Sequence, residues 1–545
     1  MNKRISALLL AAIPMIGFAQ TAFDAYQMSR YDLRGTARYM SMAGAFGALG
    51  GDLSSLNQNP AGIGVYRKNE IGFTLDIDMQ SVKAPFLAND NKTWGQNTTS
   101  QTKALVPNVG YIGVAYTGSD VMPVFQWGFS YGRTASFNRR YSGTLDMNGS
   151  LSNLIAGYTT ADGFTTDALT ADKYGNNYWG AGHAPWMSML AYNSYMINPL
   201  ASNMNQYNGL WLDGTTYGVA DFDVEEKGFV DEYEINFGGN FTNSIYWGVG
   251  VGITDIEYSR YVYYKEYMTG ALTPVSENGA IVAGAPDFDN EAQVGLESRQ
   301  RISGTGVNVK AGLIYRPINE FRIGLAVHSP TYYNLNQIHD GIVDYNYGDN
   351  VVRADYTQSP TDSYGWKLRT PWRLMASAAT VIGGRGIVSL DYEYRPYQNM
   401  TTKSDGGYSC TYVNNDIKSY YKAANIIRLG GEFRVTPNFS LRAGYALESC
   451  PTTTEFKNDQ LYVVTSNPDD TGTSPSYSVD DKTQYITCGI GYHWKSFYAD
   501  AAYVHRSHTS EFHPYSGNNG YTANPSVAEV KESNNNIVLS VGFKF

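Results

Sequence analysis

The chain has 545 residues, a formal net charge of -10, 43% hydrophobic and 17% charged residues, 45 Tyr, 22 Phe, 9 Trp, 56 Gly and 3 Cys. Abundant aromatics with sparse charge exclude a disordered chain, the cysteine count excludes a disulfide scaffold, and the acidic balance argues against nucleic-acid binding. No apolar run of about 18 residues follows the N-terminus, which leaves a large soluble β protein or a membrane β-barrel.

Residues 1–19 read MNKRISALLLAAIPMIGFA. Lys3 and Arg4 precede an apolar stretch, and Gly17 and Ala19 place small residues at a cleavage site, the pattern of a secretory signal peptide. No Cys follows the site, so a lipid-anchored N-terminus is not expected, and a bacterial secretory substrate is.

Residues 20–68 do not alternate. The stretch 35–64, GTARYMSMAGAFGALGGDLSSLNQNPAGIG, is rich in small residues, and Asp52-Leu-Ser-Ser is a plausible helix start. Such a segment is too short to be an independent domain. A plug inside a barrel is one reading, since irregular backbone at membrane depth is tolerated when protein surrounds it. A periplasmic tail is the other.

From residue 69 onward, period-two alternation dominates. Ile71, Phe73, Leu75, Ile77 and Met79 enclose Asp76 and Asp78; Phe125, Trp127, Phe129 and Tyr131 enclose Gln126, Gly128 and Ser130; Trp247, Val249, Val251 and Ile253 enclose glycines. The pattern recurs to the final strand, Ile537, Leu539, Val541, Phe543 and Phe545. Fourteen segments start near residues 69, 105, 124, 231, 245, 301, 320, 369, 386, 425, 438, 484, 496 and 535. A soluble sandwich gives the same alternation, but the connections separate the two. Short links alternate strictly with long ones at 80–104, 138–230, 264–300, 331–367, 397–424, 449–483 and 506–534. Short periplasmic turns and long extracellular loops are the asymmetry of outer-membrane barrels. The expectation is an all-β, 14-stranded antiparallel transmembrane barrel: signal peptide 1–19, plug 20–68 and barrel 69–545, with a large extracellular loop at 138–230. Its place is the outer membrane of a Gram-negative bacterium, in contact with outer-membrane lipid.

The run RYMSMAGAFGALGGDLSSLNQNPAGIG, with Asn59-Pro60-Ala61 about ten residues before the first strand, resembles the hatch of the FadL/TodX family of outer-membrane transporters for long-chain fatty acids and hydrocarbons. The strand count, the plug-then-barrel order and the terminal aromatic extend the resemblance over nearly the whole mature chain. Phe545 resembles the signal read by the barrel-assembly machinery. The departure is length, mainly through loop 138–230. The resemblance implies passive, non-enzymatic uptake of a hydrophobic molecule without a cofactor: capture by outer loops, passage past the hatch, and sideways release at an inward kink of strand 3. A FadL-like barrel serving as a structural or secretion-system partner, docked through loop 138–230, is the alternative.

Read on the residues, the stretch 184–200 (APWMSMLAYNSYMINPL) offers Trp186, Met187, Met189, Leu190, Tyr192, Met196 and Ile197 as an apolar capture surface, Met being adaptable to ill-defined ligands; packing against the barrel rim is equally open. A bulge near Gly132 would turn Arg133 inward, while snorkelling leaves it at the interface. Arg139, Arg140, Lys310, Arg428 and Arg442 are candidate partners for a carboxylate head group, unless lumenal acids such as Asp76, Asp391 and Glu432 neutralise them. Cys410 and Cys450 fall in neighbouring outer regions of an oxidising compartment and are candidates for a disulfide; Cys488 falls on the lipid-facing phase. His505, His508, Glu511 and His513 cluster, but a solvated loop is the expected reading and no metal site is expected.

Overall fold

The computed structural model describes residues 21–88, 93–170, 179, 184–277, 280–284, 290–348, 354–457, 471–517 and 520–545. The predicted signal peptide lies outside them.

Fourteen wall strands form a closed antiparallel ring. They are β1 Glu70–Leu87, β2 Trp94–Tyr116, β3 Val124–Ser136 continued by Arg139–Asp146, β4 Tyr217–Phe241, β5 Ile245–Thr269, β6 Glu291–Ile318 and β7 Phe321–His328 continued by Tyr332–Asn346. Next come β8 Asp362–Arg369 with Arg373–Ile382, β9 Gly386–Pro396 with Thr401–Ser404, β10 Ala423–Arg434, β11 Phe439–Glu448, β12 Tyr477–Trp494, β13 Phe497–His513 and β14 Ala528–Lys544. Each strand pairs with its successor, and β1 closes on β14 from Glu70↔Lys544 to Lys83↔Lys531. The β1–β14 pairing joins the two ends of the sheet, as a wall in hydrocarbon requires.

The polarity of the wall is the reverse of a soluble protein's. Ile71, Phe73, Trp127, Phe129, Ile235, Phe237, Val249, Val251, Leu313 and Leu390 are exposed, whereas Asp76, Gln126, Glu232, Glu234, Asn236, Lys310, Asp391 and Glu393 are buried. Outward apolar side chains with inward polar ones describe a wall that faces lipid and encloses protein. The outward positions of β1 from Ile71 to Met79 cover roughly 20 Å along the barrel axis at a rise of about 3.4 Å and a tilt of about 40°.

Above that belt the pattern turns over. On β5, Trp247, Val249, Val251 and Ile253 face out and Gly248, Gly250, Gly252 and Thr254 face in. From Asp255 onward, Asp255, Glu257, Ser259 and Lys265 occupy the outer phase, while Ile256, Tyr258, Val262, Tyr264 and Met268 are buried inside. The same inversion marks β6, where Arg299 and Arg301 lie outside and Val294, Leu296 and Ile302 inside. Several strands thus continue beyond the belt as a water-facing tube around an apolar core.

This corrects the loop boundaries. The first and last parts of the expected loop 138–230 are strand: Arg139–Asp146 extends β3, and residues 217–230 open β4. The connection proper is 147–216, and it folds inward through the helices Leu151–Ala161 and Trp186–Asn193. Its Leu151, Leu154, Ile155, Met189, Leu190, Ile197 and Leu210 join Phe222, Val224, Val262, Tyr264, Val294 and Phe512 of the tube in one buried cluster.

Candidate lateral opening in the barrel wall

Residues 21–66 are largely buried and bond to inward side chains around the ring. Arg34 donates to Asp76 (3.0 Å) and Asp78 (2.7 Å) of β1, Arg38 to Glu432 (3.0 Å) of β10, and the Gly47 amide to Asp391 (2.9 Å) of β9. Asn57 donates to Glu232 (2.9 Å) of β4, and Thr487 of β12 donates to the Ser41 carbonyl (2.9 Å).

The Asn59-Pro60-Ala61 motif starts a 3-10 turn, Pro60–Val65. Asn59 Oδ1 accepts from the Ala61 amide (3.0 Å), capping the turn, and Asn59 Nδ2 donates to the Gly47 carbonyl (2.6 Å). The turn lies flat on the wall where Gly248 of β5 pairs with Gly312 of β6. A Cβ at Gly312 would stand 3.1 Å from the Ala61 amide nitrogen; at Gly248 it would stand 2.7 Å from the same atom. The chemistry of the motif is therefore local capping plus close approach to a glycine seam.

The wall is interrupted between β2 and β3. Their ladder runs from Tyr116↔Val124 to Asn108↔Gly132 and ends there. Beyond it, β2 pairs with β1 alone among the described residues, and β3 with β4 alone. Two register shifts lie at this level, one where β2 carries an extra residue between Leu105 and Asn108 opposite Thr74–Asp76 of β1, and one between Arg133 and Ala135 on β3. The residue next to Asn108 on β2 is Pro107, which has no N–H to give to a ladder. Sequence reasoning passed over Pro107, the signal that marks this end point.

Gly132 is the last paired residue and Thr134 the extra one, so the bulge falls next to the expected place. Its effect on Arg133 differs from expectation. Arg133 remains in register with Asp231, on the face of Tyr131 and Tyr233, and is not turned inward. Its guanidinium holds Asp231 through two bonds (2.8 and 2.9 Å) and lies over the Phe229 ring. A bidentate pair satisfies the charge where it stands.

Backbone groups freed by the bulge find partners in the N-terminal segment. The Asp32 amide donates to the Thr134 carbonyl (2.8 Å), and the Ser136 amide donates to Asp32 Oδ2 (3.1 Å). Leu53 packs behind Gly72 and Gly110 of β1 and β2. A cavity of about 30 Å³ behind the gap is lined by Arg34, Asp78, Ser136, Arg139, Arg506 and Glu532. Its size suits water, and its lining is polar.

The remaining candidates fall out as follows. Trp186, Met187, Met189, Leu190 and Met196 are buried, Trp186 at 4% exposure, and Tyr192 is packed against the same cluster. Trp186 Nε1 donates to the Trp179 carbonyl (2.9 Å). These side chains form the core of the cap and not an exposed capture surface. The proposed head-group cations all have carboxylates: Arg139 with Glu226 (2.8 Å), Arg140 with Asp223 (2.8 Å), Lys310 with Glu232 (2.7 Å) and Glu234, Arg428 with Glu393 (2.7 Å), and Arg442 with Glu432 (2.7 Å) and Asp500 (2.6 Å). Cys410 and Cys450 are thiols and not a disulfide; Cys450 bonds to Thr452. Cys488 is exposed on the outward phase of β12.

The fold and this interruption define a class: a closed β-barrel of outer-membrane type whose N-terminal segment bonds to the inside of its wall. Among solved structures, a FadL homologue of Pseudomonas aeruginosa is similar, with a TM-score of 0.50 and 13% identity over 95% of this chain and 100% of that one. A deltaS2 mutant of the monoaromatic hydrocarbon channel TodX is similar to the same degree, with a TM-score of 0.50 and 13% identity over 94% of this chain and 100% of that one. At this identity the likeness is one of fold. No protein-family model and no curated protein sequence matches the chain.

Proposed function

We propose that the protein is a passive outer-membrane channel for hydrophobic molecules, with residues 20–68 as its hatch and the β2–β3 interruption as a sideways exit into the membrane. The ended ladder at Asn108↔Gly132 carries this reading, because an unpaired seam is costly in hydrocarbon unless something else satisfies it. Here Asp32 of the hatch satisfies two groups on the β3 side, the Thr134 carbonyl and the Ser136 amide, which supports a link between hatch position and seam geometry. The FadL homologue and TodX share the fold and supply the substrate class.

Enclosed cavities of about 40, 30 and 20 Å³ are of a size for water and too small for a hydrocarbon chain, which supports reading this as a closed state. Passage requires the hatch to move. The test removes the bulge by deleting Thr134, which makes the ladder continuous from Arg133↔Asp231 to Ala135↔Val230. Uptake of a labelled long-chain acyl probe by cells relying on this protein should fall to background while the barrel still migrates as a folded species. Unchanged uptake removes the lateral exit. A second reading, a barrel that docks a protein partner, is favoured by the solid cap over the lumen; unimpaired uptake in cells lacking the protein would favour it.

A further inference from the structure

Three adjacent wall strands carry a proline near the outer edge of the belt: Pro330 between the two parts of β7, Pro371 between those of β8, and Pro396 at the end of the first part of β9. Immediately inside this line, Trp372, Leu374 and Tyr392 face outward, exposed at 46%, 46% and 42%. Immediately beyond it, the outer parts of β7, β8 and β9 pair in register, with Arg369 opposite Tyr332 on one side and Thr401 on the other. One step further out, Lys367 stands directly opposite Lys403.

Directly opposed like charges destabilise a sheet. Several cations elsewhere on the outer face of the tube are matched by acids, Arg140 by Asp223, Lys227 by Glu225, Lys265 by Asp344, Arg301 by Glu257 and Lys531 by Glu529, although Lys83, opposite Lys531, has no ion pair among the described residues. Lys367, Arg369 and Lys403 have no ion pair among the described residues. Lys367 donates to the Asp405 backbone carbonyl (2.8 Å) and Arg369 to the Asn399 carbonyl (3.3 Å). Arg369 and Lys403 are exposed.

We infer that Lys367, Arg369 and Lys403 bind phosphate groups of a lipid in the outer leaflet. The charge is complementary to phosphate, and the height is right. A lipid whose acyl chains lie along Leu374, Trp372 and Tyr392 carries its head group at the level of Arg369. The aromatic side chains below and cations above match the two zones of such a lipid. This inference rests on the membrane-spanning reading of the wall and not on transport.

The test uses the full mature chain, folded in neutral detergent, with lipid A and dephosphorylated lipid A as probes. Binding is read by native mass spectrometry and Trp fluorescence. One variant carries Lys367→Gln, Arg369→Gln and Lys403→Gln. A control removes the same charge from ion-paired positions, Arg140→Gln, Lys227→Gln and Arg301→Gln. At about five-fold per cation near a membrane surface, the first variant should bind lipid A roughly a hundredfold more weakly. Dephosphorylated lipid A should bind both proteins equally. The proposal is overturned if the first variant binds lipid A like the parent, if the control loses as much, or if millimolar inorganic phosphate displaces the lipid, which would make this a free-anion site. Folding is checked by heat-dependent gel mobility, so a chain that fails to form a barrel is told apart from a barrel that ignores phosphate.

Discussion

Gly248→Ala tests whether the Asn59-Pro60-Ala61 turn is a hatch seated on the wall. The added Cβ would lie 2.7 Å from the Ala61 nitrogen and closer still to the Pro60 carbonyl, where ordinary contact starts at 3.4 Å. Relieving the nearest contact, with the Pro60 carbonyl, therefore requires the turn to lift by more than about 1 Å. Both sides of the contact are backbone, strand against turn, so no side chain can swing away. Overpacking of this kind costs about 1–3 kcal/mol, equivalent to a shift of roughly 5- to 150-fold toward an unseated hatch. Gly431→Ala is the matched control, since its Cβ would meet nothing nearer than 3.7 Å. Hydrogen exchange over residues 53–65 should accelerate in Gly248→Ala, and ion conductance in planar bilayers should rise, with heat-dependent gel mobility unchanged. Exchange and conductance equal to those of Gly431→Ala would refute the seating argument.

Lys310→Met leaves Glu232 and Glu234 buried side by side without their cation; stripping one partner from a buried pair costs about 3–5 kcal/mol, so the urea midpoint of the folded barrel should fall clearly, and an unchanged midpoint would mean that these acids find another partner. Maleimide labelling of the denatured, unreduced protein should modify Cys410, Cys450 and Cys488 alike, with no mobility change on adding reductant; a reductant-dependent shift would establish the disulfide that the structure lacks. Burial pushes the Asp416 carboxyl, in the outer helix Thr411–Tyr420, up to about 7, partly offset by the Tyr420 hydroxyl that donates to it. The folded chain therefore holds this proton more tightly than the unfolded one, so the contribution of this group to stability is fully present below about pH 4 and is lost as pH rises through 7. Asp416→Asn should flatten that part of the thermal-stability profile, and a profile that keeps its slope would assign it to another group.

The sequence showed one end of the barrel better than the other. The odd-numbered strands start on the short-turn side, and their starts were read within a residue or so: 69 against Glu70, 245 against Ile245, 386 against Gly386, 496 against Phe497. The even-numbered strands start at the outer end, and several were read late: 105 against Trp94, 231 against Tyr217, 301 against Glu291. The cause is the polarity inversion. A search for apolar residues on one phase picks up β6 only at Arg301, although the strand already runs from Glu291 with its apolar side chains on the other phase. The same inversion explains the apolar stretch 184–200. A tube with an apolar interior needs an apolar filling, and Met189 and Leu190 supply it.

The interruption at strand 3 was legible only in part. Gly132 marked the height, because glycine is common at bulges. Pro107 would have marked it more firmly, since it withholds a ladder donor on the neighbouring strand. What no local pattern could show is the role of Asp32, which lies 102 positions before Thr134 in the chain and meets it only once the ring is closed. That contact ties the N-terminal segment to β3 at the bulge. If Asp32 leaves, the Thr134 carbonyl and Ser136 amide lose their partners in a water-poor wall, and the least costly response is for β3 to move toward β2 or toward the lumen. Asp32→Ala removes the acceptor of the Ser136 amide and keeps the backbone donor to Thr134, so it should raise exchange at Ser136 and, through the coupling of segment and seam, at residues of the N-terminal segment as well, while exchange on the far wall, at Ala376 and Leu390, stays as in the parent. Raised exchange in the hatch alone would separate the two and leave the seam without a switch.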